Sequence, residues 1–218
     1  MAQLNLTLLV TFIFLFFSIL AHVEPSLAKH DSQTMTYVES SCNGTLYPDL
    51  CIRCLQKFVN NSTIDGPQHL AHVALSVSLS RALQTRWYLL KVAKELKEIK
   101  NKREYLTVED CVNQITDSVD QLSQAIKELR RFNDQGGSNT INDDVLWHIS
   151  NVETWVSTAL TDASSCVYSF PGHRMSKRAA SIRVKAKNVA EVTSNALALF
   201  HRYASKYMQE AARTTKKP

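Results

Sequence analysis

Apolar residues recur along most of this chain at the three- and four-residue steps of a helix face. Val112, Ile115, Val119, Leu122, Ile126 and Leu129 follow one another at alternating steps of 3 and 4, a heptad pattern. Val145, Ile149, Val152, Val156, Ala159, Ala163 and Cys166 continue the same rhythm from a start near Asn142-Asp143-Asp144. Ile182, Ala186, Val189, Thr193, Ala196, Phe200 and Tyr203 carry it on to about Met208. Upstream, residues 68–99 bear Leu79, Leu83, Trp87, Leu90, Ala93 and Leu96 at steps of 4, 4, 3, 3 and 3. The pattern predicts four long helices, with the aromatic and Met side chains of these stripes in the core. Pro67 suits a first helical turn, where its missing N–H is not needed. Thr107-Val108-Glu109-Asp110 predicts the next start, a hydroxyl cap followed by acids that favour the N-terminal dipole. Polar or Gly/Pro breaks fall at Asn101-Lys102-Arg103, Gly136-Gly137 and Pro171-Gly172. Four striped helices on short connections pack as an antiparallel up-down bundle, an all-α fold.

Composition removes the competing classes. Only 5 Gly and 5 Pro occur in 218 residues, too few to turn a β-sandwich or barrel. The 44 % apolar and 21 % charged content is that of a globular chain. Residues 6–21 form a predominantly apolar, uncharged run ended by Glu24-Pro25, and Ser26-Leu27-Ala28 places small residues before a cut after Ala28. That layout predicts a signal peptide over 1–28 and a secreted product; the run is shorter than the roughly 20 residues of a membrane span. The leader holds one acid and no Lys or Arg, so its removal takes the net charge from +5 to +6. In that compartment a basic protein meets acidic polysaccharide rather than nucleic acid. Later segments are too polar to span a membrane.

All five cysteines lie in the mature chain. Cys42 and Cys51 flank a Gly–Pro turn at the spacing of a local hairpin staple. Cys111 opens the second bundle helix and Cys166 closes the third, so antiparallel neighbours bring the two sulfurs together. Cys54 is left as a free thiol packed against the hairpin. Cys51-Ile52-Arg53-Cys54 has a redox spacing, but no strand precedes it, and zinc would need further ligands. Asn43, Asn60 and Asn61 head glycosylation sequons. There is no nucleophile elbow, P-loop, HExxH or Glu-x-x-His, and no cofactor or metal site is expected. His69 and His72 lie one turn apart without a carboxylate placed beside them, which predicts solvated first-turn residues. Arg174, Lys177, Arg178, Arg183, Lys185 and Lys187 form an acid-free basic stretch suited to a solvated helix face or to weak retention on a wall or acidic polysaccharide.

Several motifs together resemble one family. Cys42-x8-Cys51 enclosing Thr45-Leu46-Tyr47-Pro48, then Asp110-Cys111 leading into Asp117-Ser118-Val119-Asp120-Gln121-Leu122, is similar to plant invertase/pectin methylesterase inhibitors. The run from Thr154 to Cys166 resembles that family's third-helix signature. The resemblance implies a domain over 29–218, with a helical hairpin at 29–66 and a four-helix bundle at 67–218, each stapled by one disulfide. It implies an inhibitor rather than an enzyme, acting on pectin methylesterase or, in the sister branch, on acid invertase. It places Asp117, Asp120, Asn113 and Ser165 on the enzyme-facing side. The chain departs from the usual pattern at Asn113, at Ser165, at Val167–Phe170 and in a longer connection over Asn133–Thr140.

Overall fold

In a computed structural model, the described residues are 11–14, 33–59, 64–135, 143–170 and 175–214. Helix α1 covers 33–42 and α2 covers Pro48–Val59. The long helices are α3 (Pro67–Glu98), α4 (Lys102–Gln135), α5 (Asp143–Tyr168) and α6 (Lys177–Thr214). Most of the leader, Asn60, Asn61 and the connections at Gly136-Gly137 and Pro171-Gly172 lie outside the described residues. Among the described residues no helix is long and apolar enough to cross a membrane.

Helix α4 opens five residues before the expected start at Thr107. Lys100 takes a φ of 58°, which turns the chain sharply out of α3. Asn101 then caps the new helix: its Oδ1 accepts from the Glu104 N–H at 3.3 Å, and its Nδ2 donates to the Glu104 carboxylate at 3.0 Å. Thr107 is inside the helix, with its hydroxyl donating to the Arg103 carbonyl. Ser176 caps α6 through the Ala179 N–H at 3.0 Å. Gly66 precedes Pro67 with a φ of 105°, a left-handed conformation that only glycine takes without strain.

Each long helix packs on its neighbours in the ring α3–α4–α5–α6 and back to α3. The stripes of α4, α5 and α6 point inward, and Ile115, Leu122, Leu129, Val156, Ala163, Ile182, Ala186 and Phe200 are fully buried. The stripe expected on α3 does so only at Leu96, with Leu79 and Ala93 half-buried against the core. Leu83, Trp87 and Leu90 are 40 %, 68 % and 50 % exposed, while Leu75, Ser78, Ala82, Thr85, Leu89, Val92 and Leu96 form the buried face. Trp87 is therefore a surface residue rather than a core one.

Cys111 is bonded to Cys166 and ties the start of α4 to the end of α5. Cys42 is bonded to Cys51 across the α1–α2 turn. The hairpin is held to the bundle by α6: Asn195, almost fully buried, accepts from the Tyr47 N–H at 3.1 Å and donates to its carbonyl at 2.9 Å. Arg202 reaches the Ser41 carbonyl at 2.9 Å, and its guanidinium passes so close to Gly44 that a Cβ there would displace it. Cys54 is a buried free thiol. It lies where α2 meets the bundle, in a small apolar gap shared with Ala74, Val77, Val192 and Leu199.

Candidate functional site

The heptad stripe of α4 faces the core, so residues two positions off it face water. From Glu104 to Ile126 this helix carries five acids and no Lys or Arg, and α5 has no Lys or Arg along its length. Asn113, Asp117 and Asp120 are all exposed on α4. Ser165 stands on α5, half-buried, and its hydroxyl donates back to the Thr161 carbonyl at 3.0 Å. The Cys111–Cys166 bond fixes the register of the two helices here, and Ser118 reinforces it by donating across to the Ala159 carbonyl at 3.0 Å. By this register Asp117 borders the same α4–α5 seam as Ser165, while Asn113 and Asp120 sit further round α4. The result is an acidic face carried on two packed, cross-linked helices.

Sequence reasoning missed the residue in the middle of this face. Asp162 lies one turn before Ser165, and its Oδ2 is buried in the seam without a hydrogen-bond partner among the described residues; Gln114 Oε1 on α4 is in the same condition. Burial first, and then the Asp117 carboxylate, hold the Asp162 carboxyl above the usual carboxylate range. The signal was present: Asp162 adjoins Ala163 of the inward stripe, which puts an acid at the edge of the helix–helix contact.

At the other end of the same helix pair Glu128 is 2 % exposed. His148 Nδ1 lies 2.7 Å from its Oε1, Asn151 donates to the same oxygen at 3.1 Å, and Arg131 lies 3.5 Å from Oε2. Burial pushes the Glu128 carboxyl up, but the hydrogen bonds from His148 and Asn151 and the nearby charges outweigh it and hold it below its usual range. Asp144 at the start of α5 also serves this cluster, lying 3.6 Å from His148 Nε2.

Of the two first-turn histidines of α3, His69 does have a carboxylate beside it. His69 Nδ1 accepts from the Asp65 N–H at 3.3 Å, with the Asp65 carboxylate 3.9 Å away. His72 instead meets Arg130 at 3.3 Å, and burial, then Arg130 and His69, hold its imidazole below the usual range. A guanidinium in that place repels a cation. Among the described residues no group of three His, Cys, Asp or Glu side chains is placed to hold a metal ion. Asn43 is exposed in the α1–α2 turn.

Residues 36–199 match the family model described as plant invertase/pectin methylesterase inhibitor. Pectinesterase inhibitor 9 of Arabidopsis thaliana is 38 % identical to this chain, over 89 % of it and 94 % of that protein. The 21 kDa protein of Daucus carota is 37 % identical over 78 % of this chain and 85 % of its own. Among solved structures, a mutant form of a pectin methylesterase inhibitor from Arabidopsis has the same fold. It has a TM-score of 0.53 at 21 % identity, over 73 % of this chain and 92 % of that one. With a family model spanning most of its length and relatives this similar from end to end, the chain belongs to the plant invertase/pectin methylesterase inhibitor family.

Proposed function

We propose that the protein is a secreted, non-enzymatic inhibitor of pectin methylesterase that lays its α4–α5 face over the enzyme's carbohydrate cleft. The likeness over nearly the whole chain to a protein named pectinesterase inhibitor carries the choice of target. The apolar run and small-residue cut site at the N-terminus support export to the cell wall.

Inhibition of this kind needs no chemistry from the inhibitor. It needs a surface that keeps its shape when docked, because every side chain or loop ordered on binding costs affinity. Two long helices joined by a disulfide meet that need. Asp117 and Asp120, three residues apart and exposed, are placed to pair with basic groups around the cleft, with Asn113 and Ser165 as neutral hydrogen-bonding neighbours. Such pairs at a rim weaken with salt, since exposed charges are screened over about 8–10 Å.

The test is a titration of residual activity with the mature protein, using a pectin methylesterase and an acid invertase side by side. Stoichiometric loss of esterase activity with invertase untouched is the expected result. Inhibition of invertase alone would transfer the protein to the sister branch, and inhibition of neither would reject the reading.

A further inference from the structure

The side of the bundle opposite the α4–α5 pair has the reverse charge. From Pro67 to Lys94, α3 contains no Asp or Glu, but it carries Arg81, Arg86, Lys91 and Lys94. From Lys177 to Ala190, α6 likewise contains none, and it bears five Lys and Arg residues. The two helices pack side by side, and Lys185 of α6 lies over the Tyr88 ring of α3 at 4.8 Å. Arg178 and Lys187 are engaged by Glu104 and Glu191 at 3.6 and 3.5 Å. Lys91 and Lys94 are exposed and take part in no ion pair among the described residues.

Along this basic surface runs an apolar ridge. Trp87 is 68 % exposed, with Leu83 and Leu90 exposed one turn to either side. Lys91 and Lys94 follow at four and seven residues, so indole and ammonium groups share a strip about 10 Å long. A flat aromatic face suits the C–H face of a sugar ring, and lysines in line with it suit carboxylates repeating along a polymer. The ridge is one residue wide, which fits a single extended chain better than a bilayer.

We infer that the Trp87 strip of α3, with Lys91, Lys94 and the neighbouring Lys185, is a binding surface for de-esterified pectin, a linear polyuronate. The choice of this polyanion rests on the inhibitor reading, because removing methyl esters from pectin leaves one carboxylate per sugar. The inhibitor would then be retained on the product of its own target, with its acidic face still free.

The experiment is affinity electrophoresis of the mature chain through gels holding polygalacturonate or its fully methyl-esterified form. Flotation with phosphatidylserine-containing vesicles and sedimentation velocity without polymer run alongside. Retardation by polygalacturonate that fades with salt and is absent on the ester is expected. Trp87→Ala and Lys91→Ala/Lys94→Ala are each expected to weaken it about tenfold, with melting temperature and esterase inhibition unchanged. Equal retardation on the ester, unaltered binding by Trp87→Ala, preferential flotation with vesicles, or a Trp87-dependent dimer would each overturn the inference. Esterase inhibition without polymer binding removes this surface and leaves the inhibitor reading standing; polymer binding without inhibition does the opposite.

Discussion

Asp162 holds a carboxylate oxygen in the α4–α5 seam that meets no donor among the described residues, with Asp117 alongside. An unmet buried acceptor costs about 1–3 kcal/mol, and a proton on the carboxyl would relieve it by turning an acceptor into a donor. The sign follows from the raised folded-state pKa. The folded protein holds this proton more tightly than the unfolded chain, so stability is fully present below the ordinary carboxylate range and is lost as pH rises through the raised value. Asp162→Asn removes the titration. The variant should melt higher than wild type at neutral pH, with the two converging near pH 4, about the unfolded Asp value. Parallel curves for the two proteins between those pH values would show that Asp162 is not the group responsible. The exposed acids should behave differently. Asp117→Ala/Asp120→Ala is expected to leave melting nearly unchanged and to weaken esterase inhibition by more than about 1 kcal/mol, roughly fivefold, in a titration at low salt. Equal inhibition by variant and wild type would take both residues out of the interface.

At the scale of the helix, α3 shows when periodicity misleads. Its outward ridge of Leu83, Trp87 and Leu90 is as regular as a core stripe, while the true one is interrupted by Ser78 and Thr85. The Ser78 hydroxyl is tolerated inside because it is satisfied locally, donating to the Ala74 carbonyl at 3.1 Å. In α4, α5 and α6 the inward faces are strongly apolar and the outward ones polar, so those stripes could be read from spacing alone. The acidic face was legible in part, because residues off a clear stripe must face water. Asp162, Glu128 and His148 were not, since polar groups inside a helix–helix seam are fixed by a partner on another helix, and one helix's periodicity holds no information about that. Two substitutions separate the faces of α3: Leu89→Ala should cost about 2–5 kcal/mol in urea unfolding, and Trp87→Ala within about 0.5 kcal/mol. The reverse order would restore the ridge to the core. Between α4 and α5, His148→Ala leaves the Glu128 charge buried without its nearest partner and should cost about 3–5 kcal/mol; a loss below about 1 kcal/mol would mean that water replaces the imidazole.

For the molecule as a whole, the covalent links set how much of the fold survives without the rest. The Cys111–Cys166 bond closes a loop with a sequence separation of 55 residues and should contribute about 4 kcal/mol on the chain-entropy model. A Cys111→Ser/Cys166→Ser variant is expected to remain helical at 25 °C with its urea midpoint lowered accordingly, and an unchanged midpoint would mean that helix packing alone fixes the register. The same bond also bears on the order of assembly. It joins helices adjacent in the chain, and most packing in the ring is between sequence neighbours, so little chain must be searched before α4 and α5 meet. On the proposed export into an oxidising compartment, this pair would be complete once Tyr168 has emerged, while α6 is still being made. The acidic face can therefore be locked covalently before its core is covered, and the last helix closes on a template instead of building one.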